Sequence, residues 1–292
     1  MMVTVSIITK NRRDELRETV HSALSQSMPI ELLVLDDGST DGTAEMIRTE
    51  FPTVRLERSE SSLGYIVGRN CAALMATGEI IFSIDDDAVF TSPHIVEQTL
   101  REFVHPCIGA VAIPYMEPRK SPIIYQKAPS EDEIFVTNSF IGTAHALRKD
   151  VFLELGGYRE HLVHQGEESD FAIRMLEAGY VVRLGNADPI HHMESLRRDL
   201  LRMDHYGCRN AVLFAWSNVP WLGFPLHIVA TTVNCLRWSL KPTRFLTRLK
   251  GVLAGYRDCF KYPRRPVSIR SYLQFRSLSR HAQRFDDIVA RS

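Results

Sequence analysis

Glu79-Ile80-Ile81-Phe82-Ser83-Ile84-Asp85-Asp86-Asp87 is an apolar run that ends in three adjacent carboxylates. The run reads as a buried strand. Adjacent carboxylates repel one another and cost stability. With no lysine or arginine beside them, they make sense chiefly around a bound cation. Carboxylate oxygens suit Mg²⁺ or Mn²⁺, and such a cation can hold a diphosphate. The competing reading is a solvated acidic turn.

The same pattern extends outward on both sides. Val3-Thr4-Val5-Ser6-Ile7-Ile8-Thr9 and Ile30 to Leu35 read as strands, the second ending in Asp36-Asp37-Gly38-Ser39. Leu16, Val20, Ala23 and Leu24 recur at helical spacing behind Asn11 as a cap. Further helices are expected over 42–49, capped by Thr40 or Asp41, and over 67–76. Strands alternating with helices imply an α/β fold with a doubly wound, mainly parallel sheet flanked by helices. Such sheets bind ligands beyond the C-terminal ends of their strands, and both acidic clusters fall at such ends. After Val104 the pattern loosens, and 114–129 reads as a loop containing prolines and lysines. A short helix is expected over 151–155, a helix over 168–178 and a strand over 180–184.

The chain has 292 residues, 45% hydrophobic and 24% charged, an ordinary globular composition. Cys71, Cys107, Cys208, Cys235 and Cys259 form no Cys-x-x-Cys pair, which argues against a disulfide framework or a zinc site and suits a reducing cytosol. The N-terminus runs straight into a strand pattern without a signal peptide. The net charge of zero hides an asymmetry. Residues 1–196 carry 17 Lys+Arg against 30 Asp+Glu, a net of −13, whereas residues 197–292 carry 18 against 5, a net of +13. We therefore expect a body over 1–196 and a helical, basic, aromatic extension over 197–292. Its most apolar stretch, 216–240, is broken by Pro220, Pro225, His227, Asn234 and Arg237. A spanning helix needs about 20 apolar residues. The stretch fits an interface better, with Trp216, Trp221 and Trp238 as anchors; the bland alternative is a pair of helices packed on the body.

Five short motifs now stand in order: Val5-Ser6-Ile7-Ile8-Thr9, Asp36-Asp37-Gly38-Ser39-Thr40-Asp41-Gly42-Thr43, Gly64-Tyr65-Ile66-Val67-Gly68-Arg69-Asn70, Asp85-Asp86-Asp87 and Gly166-Glu167-Glu168-Ser169-Asp170. Over residues 1–200 this resembles the inverting family 2 glycosyltransferases, which have the GT-A type fold. The resemblance implies transfer of one sugar from a nucleotide-diphosphate sugar of UDP, GDP or dTDP type, with Mn²⁺ or Mg²⁺. The acceptor would be the hydroxyl of a glycan or a lipid-linked glycan. It further implies that Thr9 and Asp37 bind the base, with Asp36 holding their loop, and that Arg69 reaches the base or the phosphates. Asp85 would face the ribose or a metal-bound water, Asp86 belong to the same donor-binding set, and Asp87 ligate the metal. Glu168 would be the base that takes the acceptor proton, with Glu167 as the alternative. The family usually has Glu-Asp here, so Glu168 is one methylene longer. Asp170 would support its neighbours. In His191-His192-Met193-Glu194-Ser195 the spacing favours His192 over His191 as a further metal ligand. The stretches 142–148 and 156–158 resemble the acceptor-side floor, with His145 either contacting substrate or sitting as a core histidine.

Asn234-Cys235-Leu236-Arg237-Trp238 approaches the Gln-x-x-Arg-Trp of processive synthases, but its first residue differs and flanking spans are missing, so single-sugar addition is expected. Asp85-x-Asp87 also fits a haloacid-dehalogenase-type phosphatase, which would leave Asp36-Asp37 without a role. A sugar nucleotidyltransferase would want glycines after the first strand. A non-catalytic scaffold would not need the full acidic set. The basic extension lacks a nucleic-acid motif, so no nucleic acid is expected. The resulting expectation is a cytoplasmic enzyme, peripheral on the inner face of the cell membrane through contact with anionic lipid.

Overall fold

The computed structural model describes residues 2–193, 199–237 and 241–289. Glu194, Ser195 and Trp238 lie outside the described residues. The chain opens with β1 (Val3–Thr9), α1 (Arg13–Leu24), β2 (Glu31–Asp36), α2 (Thr43–Glu50), β3 (Arg55–Arg58), α3 (Tyr65–Met75) and β4 (Ile80–Asp85). Strands β1, β2 and β4 are buried almost throughout, which is why they read as continuous apolar runs rather than alternating ones. Ile80, Phe82 and Ile84 face one core with Leu16 and Val20 of α1. Ile81 faces the other, with Ile66 and Ala73 of α3. The helix starts differ in detail from expectation. Asn11 has φ 53° and ties the β1 end to the next loop by accepting from Thr40 N at 2.7 Å. Asp41 accepts from both Arg13 N and Thr43 N, at 3.1 Å each, although the backbone cap of α2 is Gly42.

The chain continues through β5 (Ala88–Phe90), α4 (Ile95–Leu100), β6 (Ile108–Ala112), β7 (Tyr115–Glu117), β8 (Ser121–Tyr125), β9 (Phe135–Thr137), β10 (Ala144–Arg148), α5 (Lys149–Glu154), α6 (Glu167–Glu177), β11 (Val181–Leu184) and β12 (Ile190–His192). The stretch 114–129 is therefore not a plain loop. It holds the β7–β8 hairpin, whose Pro122 is tolerated because β8 is an edge strand. The last elements are α7 (Leu200–Asn218), α8 (Phe224–Arg237), α9 (Pro242–Cys259), α10 (Ile269–Leu278), β13 (Gln283–Arg284) and α11 (Phe285–Val289).

The main sheet runs β13-β9-β11-β6-β10-β4-β1-β2-β3, and a small sheet runs β5-β12-β7-β8. The run β4-β1-β2-β3 is parallel, as the alternation implied, and β10 enters antiparallel between β4 and β6. Register sets Thr9 opposite Asp36 and Ile8 opposite Asp85, so three strand ends share one rim. The basic extension is continuous with the body. Val212 and Leu213 of α7, Val252 of α9 and Phe275 of α10 share a core with Phe171 and Ile173 of α6. Beyond them β13 pairs with β9, and Phe285 and Ile288 join the core of Val136. Among the described residues no helix is long and apolar enough to cross a membrane.

Candidate active site

Three side chains converge where β4 meets the small sheet. β12 pairs with β5 so that His192 stands opposite Ala88 and His191 opposite Val89, which gives the two imidazoles opposite faces. His192 Nε2 lies 3.3 Å from Asp87 Oδ1 and 3.9 Å from Asp85 Oδ2. One ligand atom each from Asp85, Asp87 and His192 fall within 4.8 Å of one another. Glu117 Oε1 stands 3.5 Å from His192 Nδ1, which is buried without a hydrogen bond. Burial pulls the His192 pKa down, but Asp87 and the charges of Asp85 and Glu117 outweigh it and raise it. The two carboxylates suit a hard divalent cation such as Mn²⁺ or Mg²⁺, and the imidazole beside them suits Mn²⁺ better than Mg²⁺.

The triplet does have an arginine beside it, contrary to the sequence expectation. Arg12 Nη1 donates to Asp86 Oδ1 and its Nη2 to Asp87 Oδ2, both at 2.9 Å. Arg12 is remote in sequence but follows β1, which lies next to β4. Asp86 turns into the protein, where its Oδ2 accepts from Thr9 Oγ1 at 2.8 Å and its carbonyl accepts from Thr19 Oγ1 at 2.9 Å. Burial pushes its carboxyl up to about 7.

Arg69 links this cluster to the second pair of acids. Its buried guanidinium donates to Asp85 Oδ1 at 2.9 Å and to Glu167 Oε1 at 3.2 Å. Glu167 is fully buried and also accepts from Tyr65 Oη at 3.3 Å. Gly142 makes room for this bridge: a Cβ there would lie 2.7 Å from the Arg69 guanidinium and 2.8 Å from Glu168 Oε1. Burial raises both glutamates, and the Glu167 charge helps push Glu168 up to about 8.

The loop ahead of these glutamates is strained. Val163, Gln165 and Gly166 all have positive φ, at 63°, 67° and 88°. Helix α7 holds it. Asn210 Nδ2 donates to the carbonyls of Leu162, His164 and Gln165 at 2.7–2.8 Å, and Arg209 Nη1 donates to His161 O at 2.9 Å. Asp170 ties α6 to α7, accepting from Arg159 at 2.6 Å and Asn218 at 2.8 Å. Replacing Asn210 by alanine is expected to cost about 2–3 kcal/mol of stability, because buried carbonyls lose their donor. Thermal melts check this.

The remaining candidates sit as follows. Asp37 is held by the next loop, accepting from Ser62 Oγ, Leu63 N and Gly64 N at 2.5, 2.7 and 3.1 Å. Asp36 accepts from Ser39 N at 2.8 Å and so fixes the turn. His145 is a satisfied core histidine, bonded to Ile141 O and Tyr158 Oη; burial, helped by Arg69, lowers it to about 3. Arg12, Tyr65, Glu117 and Asn210 were not among the expected site residues.

Residues 4–156, a little over half of the chain, match the family described as Glycosyl transferase family 2. The chain belongs to this family. It is a glycosyltransferase with a GT-A type fold. The uncharacterized glycosyltransferase YwdF of Bacillus subtilis is 24% identical over 200 residues, covering 65% of this chain and 74% of that protein. The glucosyl-dolichyl phosphate glucuronosyltransferase of Haloferax volcanii is 26% identical over 200 residues, 62% of each chain. Among solved structures, the mannosyltransferase PcManGT from Pyrobaculum calidifontis, in complex with GDP-Man and Mn²⁺, superposes with a TM-score of 0.61. That match has 20% identity and covers 94% of this glycosyltransferase and 78% of that chain. Residues 1–349 of S. aureus TarS, in complex with UDP-GlcNAc, give a TM-score of 0.64 at 14% identity, covering 96% and 88%.

Proposed function

We propose that this glycosyltransferase moves a single hexosyl or deoxyhexosyl unit from a nucleotide-diphosphate sugar to the hydroxyl of a glycan or lipid-linked acceptor, with inversion. The reading rests above all on the Arg69 bridge, which sets Asp85 of the Asp85–Asp87–His192 cluster beside Glu167 and its neighbour Glu168. Relatives named for O-antigen rhamnosyl transfer and for glucosyl transfer to a diphosphoundecaprenol-linked sugar support the same class of reaction.

Asp85, Asp87 and His192 would hold a divalent cation, which supplies Lewis-acid stabilisation of the departing diphosphate. Thr9, Asp37 and Asp86 would form the floor for the base and ribose. Arg69 would keep Asp85 and Glu167 in place rather than reach the phosphates itself. Glu168 would take the proton of the acceptor hydroxyl. The freed oxygen attacks the anomeric carbon as the bond to the diphosphate breaks, and attack from the opposite face inverts that centre. The enzyme would work in the cytoplasm, at the inner face of the cell membrane.

A base must be ionised to act. A carboxyl raised to about 8 is charged above that pH and protonated below it. The kcat/KM is therefore expected to fall as pH drops below about 8, and a pH–rate profile of the free enzyme checks this. The reading itself is tested by thermal melts with UDP, GDP and dTDP, each with and without Mn²⁺. One diphosphate should raise the melting temperature only with metal. No rise with any of them would sink the reading. The configuration of the product anomeric proton by NMR tests inversion.

A further inference from the structure

Helix α8 has no buried residue. Leu226, Val229 and Val233 recur along it at helical spacing, in line with Leu222 just ahead, and all four are exposed. Leu222 and Leu226 are each 80% exposed, Trp221 64% and Phe260, at the end of α9, 84%. These belong to one patch. The half-buried Trp216 ring lies 6.3 Å from Trp221, 6.1 Å from Phe224 and 5.8 Å from Phe260. The Arg264 guanidinium stacks 4.0 Å from the Trp221 ring centroid and 4.7 Å from that of Phe224. Exposed cations flank the patch in sequence: Arg237 at the end of α8 and Lys241 beyond it, Lys261 and Arg265 beyond Phe260.

The segment that carries the patch is one-sided in charge, with 18 Lys+Arg against 5 Asp+Glu over residues 197–292. Of the five acidic residues over 197–292, Asp204 and Asp258 are buried in ion pairs with Arg244 and Arg248, and with Arg209, Arg257 and Lys261. Exposed leucines, an exposed tryptophan and surrounding cations are the composition of a helix that lies in a bilayer interface. A second copy of this chain would bring the same positive charge against itself. An anionic bilayer matches both the apolar stripe and the charge.

We propose that the face formed by Trp221, Leu222, Leu226, Val229, Val233 and Phe260 seats on an anionic lipid bilayer. The inference deepens the proposed transfer to a lipid-linked acceptor and rests on that reading only for its purpose. The placement suits such an acceptor. Asn234 and Cys235 of α8 line a cavity of about 370 Å³ with Asp204, Arg244, Arg248 and Gln165. Gln165 leads directly into Gly166-Glu167-Glu168. A chain anchored on the outer face of α8 thus has a short route to the catalytic loop.

The test is co-sedimentation of the full chain with phosphatidylcholine vesicles, with and without about one third phosphatidylglycerol. Wild type should bind the anionic vesicles, weakly at high salt, and leave the neutral ones. Leu222→Glu with Leu226→Glu should cut that binding by about tenfold or more. These side chains stand in solvent, so folding is preserved. Leu74→Glu, at another exposed leucine, on α3, is the control and should bind as wild type. No binding by wild type, equal binding by the double variant, or equal loss in the control overturns the surface. So does a wild-type dimer that the double variant disperses. Melting-temperature shifts with diphosphate and Mn²⁺ are read in every variant. Their loss with vesicle binding intact counts against the transferase reading and leaves the bilayer surface standing.

Discussion

Glutamine in place of Glu168 is expected to cut turnover by about 10²–10⁴-fold while leaving nucleotide-sugar binding nearly intact. The change keeps the shape of the side chain and removes its capacity to take a proton. Glu168 lies in the first turn of α6, where the helix dipole favours a charged carboxylate, and burial beside Glu167 makes it basic enough to accept one. Glu167 is in a different position. It is fully buried and accepts from Arg69 and Tyr65, so Glu167→Gln should show first as lost stability. Single-turnover rates and calorimetric titration with the diphosphate separate the two. Wild-type turnover in Glu168→Gln would transfer the role of base to Glu167.

The second large effect is expected at Asp87. Alanine there removes one of three donor atoms clustered within 4.8 Å and leaves His192 without its nearest carboxylate. The melting-temperature rise given by diphosphate with Mn²⁺ should disappear. A ligand at about 100 times its Kd contributes about 2.7 kcal/mol of stability, so the loss is easily read. Asp86 remains to pair with Arg12 at 2.9 Å, which keeps the arginine matched and the fold intact. An unchanged dependence on Mn²⁺ would remove Asp87 from the ligand set.

The half of the fold that was legible in sequence is the half built from local patterns. β1, β2 and β4 are apolar runs with helices between them, and both acidic clusters lie at their C-terminal ends. The β7–β8 hairpin was hidden because Pro122 interrupts the edge strand β8 and because the other partner of β7 is β12, far away in sequence. Arg12 was missed for a related reason. Its nearness to Asp86 and Asp87 depends on β1 lying next to β4, a register no short window contains. The spacing of His192 from Glu194 and Ser195 singled it out from His191, and strand alternation gives the physical reason the two differ. Asn210 carried no signal at all. A single amide in a basic helix is unremarkable until the loop it holds is folded.

The two ends of the main sheet carry a consequence for how copies of this chain meet. A bare strand edge invites pairing with another chain, and short or charged edge strands prevent it. At one end stands β3, four residues that include Arg55, Glu57 and Arg58. At the other stands β13, two residues long, laid over the margin of β9. The polypeptide thus reaches back from its far end to seal the side of the sheet opposite β3. Crowded on a surface, neighbouring molecules would meet through side chains, and the backbone would offer them little to zip together.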